Sequence, residues 1–62
     1  MTLDCPFAAG DLIVDCDPYK APEQFLGHGI VIEVLNSDYV IVHWVEINHY
    51  QAINIGYIRL LK

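Results

Sequence analysis

Apolar and polar positions alternate most clearly between Gly27 and Val45. Ile30-Val31-Ile32-Glu33-Val34-Leu35 and Tyr39-Val40-Ile41-Val42-His43-Trp44-Val45 are rich in β-branched and aromatic residues, and the polar Asn36-Ser37-Asp38 separates them. This pattern predicts a β-hairpin. Successive side chains on a strand point to opposite faces, so Val40, Val42 and Trp44 share one face. A three-residue turn sets Leu35 against Tyr39, Val34 against Val40, Ile32 against Val42 and Ile30 against Trp44. Ile30, Ile32 and Val34 then join the core set. Asn, Ser and Asp suit that turn because they bond locally to the backbone. The opposite face is expected to carry Val31, Glu33, Leu35, Tyr39, Ile41, His43 and Val45, an unusually apolar set for a face in water.

The rest of the chain predicts three more short strands. Residues 1–9 read as an irregular lead-in, with Phe7 tucked beneath the sheet. Gly10-Asp11 marks a turn into a strand over Leu12-Ile13-Val14-Asp15, with Leu12 and Val14 inward. Pro18 and Pro22 argue for a loop over residues 16–27. Ala21 to Leu26 fits one helical turn with Pro22 near its start, and Phe25 and Leu26 are expected to anchor the loop to the core. Gly27 and Gly29 allow a bend or bulge at the hairpin entry. Glu46-Ile47-Asn48-His49 is a further turn and Tyr50-Gln51-Ala52-Ile53 a fourth strand. Asn54-Ile55-Gly56-Tyr57 suits a single 3₁₀ turn. Ile58 to Lys62 forms a fifth strand, with Ile58 and Leu60 inward.

Sixty-two residues make one domain, and a chain of this size buries only about 60% of its unfolded surface. Hydrophobic residues form 55% of it, against about 45–50% in ordinary domains. That excess argues against disorder and for a partner surface or self-association. The net charge is −5, with eight carboxylates against Lys20, Arg59 and Lys62. Three scattered basic residues are too few for direct phosphate-backbone binding. The acidity keeps an apolar domain soluble and is compatible with a basic partner. No apolar run reaches the roughly 18–20 residues of a membrane span, and the N-terminus has no secretory pattern. A cytoplasmic location with Cys5 and Cys16 reduced is therefore expected.

Candidate chemistry is sparse. Glu33 and His43 lie diagonally on the outer face, where a carboxylate beside an imidazole supports acid–base work. No nucleophile motif or phosphate-binding loop accompanies them, and a plain cross-strand pair is the simpler account. Among Cys5, Cys16, His28, His43 and His49, the gap between His43 and His49 fits the outer limit of structural zinc spacing, but Cys5 and Cys16 lie too far apart to supply the close cysteine pair. No catalytic residue, metal or cofactor is expected. Tyr19 and Tyr57 stand where an aromatic peptide groove needs them, but alternation turns Trp44 inward.

Gly10-Asp11-Leu12-Ile13-Val14, Gly29-Ile30-Val31-Ile32-Glu33-Val34, Val40-Ile41-Val42-His43-Trp44 and Ile58-Arg59-Leu60-Leu61 together resemble the pattern of very small SH3-like proteins of tailed bacteriophages. The resemblance covers about residues 10–62 and rests on scaffold positions. It implies an all-β, five-stranded SH3-like barrel with a long first loop and a 3₁₀ turn before the last strand. It also implies a non-enzymatic accessory protein that binds or inhibits a host protein in the bacterial cytoplasm. The hairpin entry is similar to KOW modules, which implies nucleic-acid association. The segment from Val45 to Leu61 is similar to the small SH3-like subunit of photosystem I. The expected function is a protein–protein interaction module that docks, or self-associates as a homo-oligomer, through Val31, Glu33, Leu35, Tyr39, Ile41, His43 and Val45. A KOW-like module and a structural subunit of a virion or larger complex are the alternatives.

Overall fold

A computed structural model describes residues 5–61. Five antiparallel strands form one sheet: β1 (Leu12–Asp15), β2 (His28–Val34), β3 (Tyr39–Trp44), β4 (His49–Asn54) and β5 (Ile58–Leu60). Their order is β4-β3-β2-β1-β5. One 3₁₀ turn, Pro22–Gln24, lies in the long β1–β2 loop and another, Ile55–Tyr57, precedes β5. This is the all-β SH3-like layout anticipated from the sequence. The fourth strand runs one residue further at each end than the apolar pattern indicated. The lead-in over residues 1–4 lies outside the described residues.

The core consists of Ile13, Val31, Val40, Val42, Trp44, Ile53 and Ile58. Cys5, Phe7, Leu26, Val34 and Ile55 pack against it, so Phe7 does sit under the sheet. Leu26 anchors the long loop as expected, whereas Phe25 is exposed. The indole of Trp44 is fully buried and its Nε1 donates to Gln51 Oε1 at 2.9 Å. That bond satisfies a polar atom that would otherwise be costly to bury.

The hairpin turn is the three-residue loop that the sequence predicts. Asn36 Oδ1 accepts from the N–H groups of Asp38 and Tyr39, at 2.8 and 2.9 Å. Leu35 N–H donates to Tyr39 O at 3.0 Å, and Val34 pairs with Val40. Beyond that point the expected register fails. The pairing shifts between Val31 and Glu33, which leaves Ile32 as a bulged residue without a partner on β3. Val31, not Ile32, stands opposite Val42, and Gly29, not Ile30, stands opposite Trp44. Val31 is accordingly 1% exposed and Ile32 44%. A bulge inserts one residue and reverses the facing of everything beyond it.

Gly29 gives the physical reason for this phase. A Cβ built there would lie 2.6 Å from Val42 Cγ1 and 3.0 Å from both Ile13 Cδ1 and Trp44 Cε3. The indole occupies the volume that any other residue would need. Only glycine can face inward opposite Trp44, and alternation then turns Val31 inward as well. Gly27 serves a different need. Its φ is +81°, and the Glu46 carboxylate sits where a Cβ would project.

The expectation for β1 is also corrected. Ile13 and Asp15 face the core, while Leu12 is exposed and Val14 half-buried. In β5, Ile58 is buried, and Leu60, opposite Ile13, shares that face as expected but stays partly exposed at the sheet edge. Asp15 overturns the assumption that a charged residue faces water, because the long loop surrounds its carboxylate with donors. Lys20 Nζ donates to it at 2.8 Å, Leu26 N–H at 3.0 Å and Asp17 N–H at 3.1 Å. Asp15 N–H in turn donates to Gly27 O at 3.1 Å. One residue thus binds both ends and the middle of the loop.

Burial pushes the Asp15 carboxyl up, but the Lys20 hydrogen bond, the two backbone N–H groups and the Lys20 charge outweigh it. Its pKa lies below the ordinary carboxylate range.

Two outcomes follow. Gly29→Ala should lower unfolding free energy by about 2 kcal/mol through overpacking, measured by denaturant titration of Trp44 fluorescence; an unchanged midpoint would show that the indole is not seated there. Asp15→Asn should cost about 2 to 3 kcal/mol at neutral pH. A depressed carboxyl contributes stability above its unfolded pKa, about 3.9, and loses it as pH falls through the folded value. The gap between wild type and Asp15→Asn should therefore narrow below about pH 4, and a gap that stays constant with pH would contradict the clamp.

Candidate functional site: the outer face of the sheet

The register places side chains in rows across the outer face. Leu12, Ile30, His43 and Tyr50 form one row across β1 to β4. Glu33, Ile41 and Ala52 form the next. Leu35, Tyr39 and Asn54 lie beyond the bulge, at the turn end. Val14, His28 and Val45 lie at the opposite end, where Val45 N–H donates to His28 O at 3.1 Å. Cross-strand neighbours on one face are close enough to pack on one another.

Six of the seven residues expected on this face are there. Glu33, Leu35, Tyr39 and Val45 are exposed, and Ile41 and His43 are half-buried by their neighbours. Val31 is the exception. It belongs to the core, because the bulge at Ile32 inverts the facing of the β2 residues before it. The sequence reading missed Leu12, Val14, Ile30, Tyr50 and Ala52 as members of the face. The signal for Leu12, Val14 and Ile30 is Gly29: placed inward against an indole and paired with Ile13, it sends their side chains outward, while Tyr50 and Ala52 follow from their pairing with His43 and Ile41.

His43 and Glu33 do not form the acid–base pair considered from the sequence. His43 Nε2 lies 2.8 Å from Asn48 Oδ1, and the imidazole stacks on the Tyr50 ring with centroids 4.5 Å apart. Asn48 reaches that position from a left-handed backbone, φ 50°. The ring is thus held as part of a packed aromatic row rather than beside a carboxylate. Lys20–Asp15 is the one ion pair among the described residues. Cys5 and Cys16 are free thiols, and no group of three His, Cys, Asp or Glu residues converges among the described residues.

Two concave regions flank the sheet. An apolar cleft of about 420 Å³ separates Cys5, Phe7, Ala8 and Ala9 from Ile32, Glu33 and Val34. A more polar groove of about 330 Å³ lies among Asp17, Lys20, Tyr39, Tyr57 and the stretch from Gln51 to Asn54. Tyr57 lines this groove but Tyr19, 86% exposed, does not, and Trp44 is sealed in the core. No helix among the described residues is long and apolar enough to cross a membrane. No family model, curated protein or solved structure matches this chain significantly.

Proposed function

We propose that this chain is a non-enzymatic interaction module that docks a protein partner through the outer face of its hairpin. The observation that carries this reading is the composition of that face. Leu35, Tyr39 and Val45 are exposed, and they flank half-buried Ile41 and Ile30 with one carboxylate, Glu33, among them. A contiguous apolar patch on a small domain marks an interaction site. Tyrosine contributes large contact area with few rotatable bonds, which favours its use at interfaces. The surrounding acidity suits a partner with a basic rim.

A nucleic-acid partner has less support. Of the described basic residues, Lys20 is committed to the buried Asp15 carboxylate, which leaves Arg59 alone on the sheet. A place among phage accessory proteins, acting on a host protein in the bacterial cytoplasm, rests on the motif resemblance.

Tagged wild-type protein should capture one partner saturably from lysate of its own cell. Ile41→Asp and Leu35→Asp should each cut that capture about tenfold or more, since a charge is left unpaired in the buried interface. Far-UV circular dichroism should remain that of the native sheet. Equal capture by folded wild type and both variants would overturn this face as the docking surface.

A further inference from the structure

We propose that two copies of this chain pair along the free edge of β4, antiparallel, about a two-fold axis at Ala52. This inference does not depend on which protein the outer face docks.

β4 ends the sheet on one side. Its six residues pair with β3 without a register shift. Ile55 N–H donates to Asp38 O at 2.9 Å, and antiparallel ladders alternate in hydrogen bonding. Ile53, Gln51 and His49 therefore direct their backbone groups at β3. Tyr50, Ala52 and Asn54 turn theirs away from the sheet. None of these three N–H groups donates to a loop, turn or side chain among the described residues.

Proteins usually blunt such an edge with charge, proline, a bulge or brevity. The opposite edge follows that rule: β5 has three residues and carries Arg59. β4 has none of these devices. His49-Tyr50-Gln51-Ala52-Ile53-Asn54 contains no Asp, Glu, Lys, Arg or Pro, and His49 through Ala52 are all exposed.

The occupant is specified by charge and by register. The chain carries −5 overall, so copies repel one another across most of their surfaces. The strand that forms this edge carries no carboxylate of its own, and Asp17, which lines the groove beside it, stands there with Lys20. The antiparallel register that uses all three outward residues sets Ala52 against Ala52 of the second copy and Tyr50 against Asn54. Each outward N–H and C=O then meets a group of the matching kind. Gln51 falls opposite Ile53. The small Ala52 side chain keeps the axis open. Tyr50, stacked on His43, and Ala52, beside Ile41, carry the apolar outer face across the junction.

Light scattering on the full chain tests this. Wild type should move with concentration from the 7.0 kDa of one copy toward twice that value. Ala52→Lys and Ala52→Glu place like charges face to face on the axis. Each alone should weaken pairing about tenfold or more. An equimolar mixture of the two should restore the doubled mass, because Lys then meets Glu. Leu35→Asp, at the turn end of the docking face and two strands from the β4 edge, should leave the doubled mass unchanged, which separates this contact from the docking face. A wild type that stays at one copy near millimolar concentration would overturn the proposal. So would single variants that pair like wild type, or a mixture that does not recover.

Discussion

The approach of the Trp44 indole to the bare backbone of Gly29 sets the phase of the sheet. The indole is the largest side chain in the core, and the position opposite it on β2 has no room for a Cβ. Glycine must therefore face inward there. Val31, two residues on, follows it inward by alternation. Ile13, paired with Gly29 from the other side, faces the same core. The outer face of three strands is thereby fixed as well. Ile30 and Leu12 turn out because their neighbours are held in, so an interior packing constraint defines the exterior surface.

A bulge reconciles that constraint with the hairpin turn. Counting back from the Asn36 turn, strict alternation places Ile32 in the core, while counting forward from Gly29 places Val31 there. Both counts are right locally, and they differ by one residue. The chain absorbs the difference at Ile32, which leaves the ladder and becomes exposed. This explains what was legible in the sequence. The strands, the three-residue turn, the 3₁₀ turns and the facing of β3 follow from composition and periodicity. The facing of β2 before the bulge does not, because an inward glycine carries no hydrophobic signal. Val31, two residues on, was accordingly expected on the outer face rather than in the core.

Asp15 illustrates the same limit with charge in place of volume. A carboxylate in an alternating strand reads as solvent-facing, in keeping with the expectation that Leu12 and Val14 turn inward. The donors that permit its burial come from Asp17, Lys20 and Leu26, which precede no recognisable motif. Only the closed loop brings them together. The clamp engages Lys20 with Asp15 and leaves the remaining charge of the domain predominantly negative. The outer face and the β4 edge consequently stand out as the weakly charged parts of an acidic molecule. Both were partly readable from the sequence, as an apolar outer parity and an uncharged fourth strand. Their adjacency emerges only from the register that joins Ile41 to Ala52 and His43 to Tyr50.

The facing of alternate residues around Gly29 is the claim on which the surface assignment stands, and solvent paramagnetic relaxation on methyl-labelled protein measures it directly. The Ile32 methyls should relax strongly in the presence of a soluble paramagnetic probe, and those of Val31 and Val42 hardly at all. The Gly29 α-protons should show nuclear Overhauser contacts to the Trp44 ring. Strong relaxation of Val31 together with protection of Ile32 would contradict the account, for the outer face would then be built from the other set of side chains.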